Sequence, residues 1–201
     1  MGRAMERVPL VLKLAWTALV AVIVPVYWRR YGPANFLWFS DIALFGILAA
    51  LWLESPLLAS MQALSVTALE TVWLADFLSR LVLRVRLVGL TDYMFDARLP
   101  LWLRSLSLFH VPMPVLLPFL VGRLGYDPRA LLAQTAVALV VVPFCRAFTD
   151  PEENINWAFG PAWNPRQTRV PRPVYFAILM LFFPVCVYLP SHYALRALFG
   201  R

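Results

Sequence analysis

The chain has 201 residues, 61% of them hydrophobic and 14% charged, with a mean hydropathy of +0.70. Soluble domains are about half apolar and a quarter charged, and a core of this size has too little interior to hide so much apolar surface, so the composition excludes a soluble globular protein and fits a single membrane domain. A net charge of +7 raises nucleic acid as a partner, but the arginines stand in short gaps between apolar runs, where they meet lipid headgroups, and no nucleic acid is expected.

The first apolar run, Val8 to Trp28, follows Arg3 and Arg7 and ends at Trp28-Arg29-Arg30-Tyr31. It has no small-residue cleavage site and outruns a signal-peptide core, so it reads as a retained span, with Lys13 snorkelling to the near interface. Tyr31-Gly32-Pro33 breaks the chain before the second span, Asn35 to Leu53. Glu54-Ser55-Pro56 is short enough to fold the second and third spans, the latter Leu57 to Leu78, into an antiparallel hairpin. An Arg-rich loop with Gly89, Asp92 and Asp96 leads to the fourth span, Leu101 to Val121.

Asp127 and Pro128 supply an N-cap and a first-turn proline for the fifth span, Ala130 to Phe148. In the next loop, Asp150-Pro151-Glu152-Glu153 repeats a helix-start signal with two acids on the helix dipole. It predicts a short surface helix over Pro151 to Phe159, and an irregular stretch from Pro161 to Pro173. The last span runs from Val174 to Leu198. The predicted architecture is all-α: a polytopic membrane protein, a six-transmembrane-helix bundle with a short surface helix in the fifth loop, each span meeting the ~20-residue requirement of a bilayer.

An even number of spans puts both termini on one side. Eleven basic residues fall on the side of the long loops (Arg29, Arg30, Arg80, Arg84, Arg86, Arg98, Arg104, Arg146, Arg166, Arg169, Arg172). Seven fall on the other (Arg3, Arg7, Lys13, Arg123, Arg129, Arg196, Arg201). The positive-inside rule therefore leans toward cytoplasmic long loops. The Arg-heavy composition is associated with a GC-rich bacterial genome, and a bacterial inner membrane is the expected location.

Polar groups inside hydrocarbon are costly and point to function or to interhelical pairing. Asp41, Glu70, Asp76, Arg104, His110 and Arg146, with Asn154 and Asn156 just beyond, all fall within roughly 15 Å of the long-loop face at helical rise. Lys13, Gln62 and Gln134 are the main polar groups of the opposite half. The pattern predicts a polar pocket in one leaflet. Bland roles stand beside it: Asp76, Arg104 and Arg146 lie near the interface, and carbonyls freed by Pro112, Pro114 and Pro118 offer the imidazole of His110 an ordinary partner. Trp28, Trp38, Trp102, Trp157, Tyr175 and Tyr188 read as an interfacial belt. Cys145 and Cys186, without CxxC or zinc spacing, read as small buried apolar residues. No HExxH, GxSxG or P-loop occurs, and no cofactor or metal is expected.

Four stretches carry a resemblance. They are Phe36-Leu37-Trp38-Phe39-Ser40-Asp41-Ile42; Leu99 to Pro118 with His110; Asn154-Ile155-Asn156-Trp157; and Pro171 to Pro190. In this order they resemble, over residues 35 to 190, the YwaF-like bacterial integral membrane proteins, which are distantly similar to androgen-induced lipid hydrolases and a related transmembrane acyltransferase. The resemblance implies a six-helix fold with a pocket reached from the loop side, membrane lipid as partner, and a working His that falls on His110. The hydrolases' Thr falls on Trp38, and Ser40 is the nearest hydroxyl.

Two functions follow. In the first, a lipid acyl-ester hydrolase or acyltransferase, Ser40 attacks, His110 is the base, and Asp41 or Glu70 orients it. Arg104, Arg146, Asn154, Asn156 and Trp157 then bind substrate. In the second, a non-catalytic binding, scaffold or permeation protein, the same charges form a static network or hold a polar headgroup.

Overall fold

The computed structural model describes residues 8–161 and 169–200, and every regular element among them is helical. In chain order the helices are α1 (Leu10–Tyr31), α2 (Phe39–Leu53), α3 (Pro56–Leu83), α4 (Leu101–Leu124), α5 (Ala130–Phe148) and α6 (Arg172–Phe199). All but α2 are long and apolar enough to cross a membrane, which marks the chain as an integral membrane protein. Helix α2 has 15 residues. At 1.5 Å per residue it covers only about 22 Å, and a 3-10 turn over Pro33–Leu37 precedes it.

Helix α3 is the hub, packing against α2, α4, α5 and α6, while α1 lies against α2. Its buried face starts with small residues, Ala59, Ser60, Ala63 and Ser65, which let neighbouring backbones approach where lipid supplies no hydrophobic drive. The hairpin between α2 and α3 turns on Glu54 in left-handed backbone, and Ser55 caps α3 by accepting from the Leu58 N–H.

Two helices are interrupted for local reasons. Helix α4 tightens to 3-10 over Ser107–His110, just before Pro112 and Pro114. Helix α6 loosens to a π turn over Phe183–Tyr188, where Pro184 has no N–H to give. Tyr188 is therefore a mid-helix residue, fully buried, and not part of an interfacial belt. Trp28 and Trp102 are exposed as a belt requires. Cys145 is buried, but Cys186 is exposed on the outside of α6.

Asp76 organises the Arg-rich loop. Its carboxylate accepts from the backbone N–H groups of Leu87, Val88, Gly89 and Thr91 and from the Thr91 hydroxyl. Gly89 supplies the positive φ (90°) that this wrap needs. Arg80 and Arg86 then close on Asp92.

The fifth loop departs from expectation. Asp150 does accept from the Glu152 N–H, as a helix start should, but no α-helix follows. The chain makes only a 3-10 turn over Ile155–Trp157. Asn154, Asn156 and Trp157 take left-handed backbone (φ 48°, 50° and 61°), which a right-handed helix cannot continue through. Of the irregular stretch expected over Pro161 to Pro173, residues 162–168 lie outside the described residues, as do the basic residues Arg3, Arg7, Arg166 and Arg201.

Candidate functional site

A cavity of about 570 Å³ lies in the half of the bundle that carries the long loops. Its floor and walls come from the end of α1, the start of α2, the middle of α3, the 3-10 turn of α4, and α6 at Phe183; the two long loops cover it. Asp41, Glu70 and His110 line it together, from three different helices.

His110 Nδ1 lies 2.7 Å from Glu70 Oε2, and the two side chains are 12% and 6% exposed. The imidazole therefore takes a carboxylate as its partner, and not a carbonyl freed by the downstream prolines. Its ring stacks with Trp73, 4.8 Å away, and with Phe109, 4.1 Å away, both near-parallel to it. Two stacked rings and a bond at Nδ1 fix the ring's orientation, so Nε2 is the nitrogen left for exchange with a ligand.

Asp41 is 4% exposed, and its Oδ1 has no hydrogen-bond partner. An unpaired acid in a low-dielectric interior is expensive, and such groups cluster at working sites. Ser40 lines the same cavity and makes no hydrogen bond to His110.

The substrate-binding set read from sequence divides in two. Asn154, Asn156 and Trp157 line the cavity, whereas Arg104 and Arg146 do not. Arg104 donates to the Met94 carbonyl at 2.6 Å, and Arg146 lies over the Phe159 ring at 4.6 Å. Both guanidiniums hold loops in place.

The two asparagines spend their amides on backbone. Asn156 Nδ2 donates to the Leu37 carbonyl at 2.7 Å, and its Oδ1 accepts from the Phe39 N–H at 2.9 Å. This clip fixes the start of α2, and with it Ser40 and Asp41. Asn154 accepts from the Phe159 and Gly160 N–H groups and donates to the Gly160 carbonyl. Trp157 stacks on Phe183 (centroids 6.0 Å apart, 16° between planes), and its carbonyl accepts from the Tyr175 hydroxyl. A bulky residue at positive φ is held there only when its surroundings over-determine it, and such strain gathers at functional sites.

Several lining groups were not singled out from sequence. The Tyr27 hydroxyl and Ser107 Oγ are 2.9 Å apart and buried. Tyr93, in the Arg-rich loop, is a half-buried part of the wall, and desolvation pushes its hydroxyl above the ordinary phenol range. Trp38, expected only in an interfacial belt, lines the cavity. Among the described residues no group of three or more His, Cys, Asp or Glu is placed to hold a metal ion.

The fold and site define a helical membrane protein with an acidic, aromatic-walled chamber in one half of the bundle. No protein-family model, curated protein or solved structure matches the chain.

Proposed function

We propose that this is a six-span membrane enzyme that hydrolyses or transfers the acyl group of a membrane lipid ester, with Ser40 as nucleophile, His110 as base and Glu70 as its orienting carboxylate. The observation that carries the reading is the His110–Glu70 pair, buried in a chamber that Ser40 also lines. In this mechanism the Ser40 oxygen attacks the ester carbonyl as its proton passes to His110 Nε2. The C–O bond to the leaving alcohol breaks, and that alcohol takes the proton from His110. Water or an acceptor alcohol then attacks the acyl-serine by the reverse proton path, which restores Ser40.

Support for α2 as a sixth span comes from its antiparallel hairpin with α3 and from Glu54 at its far end, which meets Lys13 of α1 at 2.9 Å. The Pro33–Leu37 turn lengthens the crossing beyond the 15 helical residues. A short span is accommodated at modest cost. The resemblance to YwaF-like proteins and lipid hydrolases agrees in placing a His at His110, and differs in having Trp38 where those hydrolases carry Thr.

One observation favours a second, non-catalytic reading: Ser40 makes no hydrogen bond to His110. Catalytic hydrogen bonds often tighten only around substrate, so turnover decides. Protein in lipid nanodiscs is offered fluorogenic acyl esters and a fluorophosphonate label. Esterase activity and covalent labelling, both lost in Ser40→Ala with an unchanged melting temperature, are the expected result. Activity that survives Ser40→Ala removes Ser40 from the mechanism, and no turnover or labelling in the native protein leaves the chamber as a binding site.

A further inference from the structure

We infer that the chamber binds an alkylammonium group, with Asp41 as its counter-ion and aromatic rings as its walls. This concerns the same cavity and rests on the reading above for its place in a lipid-processing site. The chain is basic overall, with 18 Lys and Arg against 11 Asp and Glu. The chamber inverts that balance. Asp41, Glu70, Glu152 and Glu153 line it, and no Lys or Arg among the described residues does.

Two arginines near the chamber are committed elsewhere, Arg104 on the Met94 carbonyl and Arg146 over Phe159, and Lys13 is at the opposite end with Glu54. Among the described residues His110 is the one lining group able to carry positive charge, and its Nδ1 is engaged by Glu70. With Asp41 and Glu70 ionised, the buried part of the chamber is one charge negative even against a protonated His110. In a low-dielectric interior that excess is a strong preference for a cation.

Asp41 has the features expected of the receiving group. It is 4% exposed, lines the cavity, and has an Oδ1 with no donor. The walls suit an organic cation better than a metal ion. Tyr27, Tyr31, Trp38, Trp73, Tyr93 and Trp157 line the cavity, and aromatic rings attract ammonium and quaternary ammonium groups. A hard metal ion would require several converging oxygens. A zwitterionic lipid headgroup and a free amine share this chemistry, and their sizes both suit a chamber of about 570 Å³.

The test is calorimetric titration of the native protein in phosphatidylglycerol nanodiscs, read as binding and not as turnover. The ligands are choline, its neutral isostere 3,3-dimethyl-1-butanol, and the dihexanoyl forms of phosphatidylcholine, phosphatidylethanolamine and phosphatidylglycerol. Amine-bearing ligands are expected to bind at least about tenfold more tightly than their uncharged or anionic counterparts, and Asp41→Asn is expected to erase that ratio. Short-chain zwitterionic lipids binding without choline identifies a headgroup site. Choline binding as tightly as the lipids identifies a free amine.

Equal affinity for choline and 3,3-dimethyl-1-butanol together with equal affinity for the zwitterionic and anionic lipids, or a ratio unchanged in Asp41→Asn, overturns the inference. So does no binding of any amine. The charge discrimination of the native protein decides the matter even if the variant fails to fold. Amine binding without ester turnover sinks the hydrolase reading alone, and turnover without amine preference sinks this inference alone.

Discussion

At the end of the bundle bearing the short loops, several polar side chains find one another, although the buried Gln62 Oε1 has no partner and Glu54 holds positive φ. Lys13 meets Glu54 at 2.9 Å, Tyr126 meets His192 Nδ1 at 2.6 Å, and Ser60 accepts from the Asp127 N–H. Nearer the middle, Gln134 donates to Ser65. At the end bearing the long loops, Glu70 and His110 are paired, but Asp41 is left open, and Asn154, Asn156 and Trp157 hold positive φ around the same cavity. Paired polar groups glue helices together. Unpaired charge and strained backbone weaken a fold and persist where they serve something else. Each end also has one histidine on a hydrogen bond, so the histidine alone does not tell the ends apart. What surrounds it does: a packed tyrosine at one end and a lined chamber at the other.

The largest effect expected from this contrast is on activity. His110→Ala should lower acyl-ester turnover by about 10³-fold, the usual worth of a general base. His192→Ala should leave turnover within about twofold, because Tyr126 and His192 lie outside the chamber. Turnover rates of both variants in nanodiscs test this. A comparable loss from both would make the histidines equivalent and erase the distinction between the ends.

Stability should move in opposite directions at the two ends. Asp41→Asn removes a charge buried without a donor and should raise the melting temperature by several degrees, a gain of about 1–3 kcal/mol. Lys13→Met removes the 7% exposed partner of Glu54, itself 24% exposed, and should lower it, by about 1–3 kcal/mol. Scanning fluorimetry measures both. If Asp41→Asn is the destabilising change, Asp41 is structural glue.

Asn156→Ala tests the clip between the fifth loop and α2. It removes the bonds to the Leu37 carbonyl and the Phe39 N–H, at about 1–3 kcal/mol for buried groups left unpaired. Hydrogen exchange should quicken at residues 37–41 and 154–160 and stay unchanged at the Tyr126–His192 end. Uniform quickening would mean that the clip supports the whole bundle.

The trio Asp41, Glu70 and His110 was legible in sequence because a titratable group deep in an apolar run is conspicuous, and helical rise fixed its depth. Their convergence from α2, α3 and α4 was legible only as shared depth. Much of the aromatic lining was hidden, since Trp38 near a span end resembles an interfacial anchor until the loops are seen to fold over it, whereas Trp157 was already legible beside Asn154 and Asn156. The clip was hidden for another reason: it joins Asn156 to residues more than a hundred positions away, and nothing local records that. The missing surface helix shows the limit of start signals. Asp150 initiates a turn as expected, but whether it propagates is decided at Asn154, Asn156 and Trp157: Asn154 is held by bonds within its own loop, Asn156 and Trp157 by contacts to other helices.

The smallest effect concerns a device that both ends share. Asp96-Ala97-Arg98 and Asp127-Pro128-Arg129 precede α4 and α5, and in each the Asp Oδ1 accepts from the Arg N–H at 2.9 Å while the guanidinium closes on both oxygens. The Arg98 bonds pull the Asp96 carboxyl down from 3.8 to about 2, and the Arg129 side chain likewise lowers Asp127. A depressed carboxylate favours the folded state above its unfolded pKa and loses that contribution as pH falls through its folded value. For Asp96 the loss runs from about pH 4 down to about pH 2. Because Arg98 and Arg129 are 89% and 79% exposed, solvent screens both pairs. Acidification from pH 5 to pH 3 should therefore leave the melting temperature nearly unchanged through these two groups, while carboxyl NMR signals report both titrating below 3.8. Midpoints near 3.8 would mean that the pairs are not formed in solution. A midpoint lowered at one end only would show that even this local device is set by the half of the bundle it sits on.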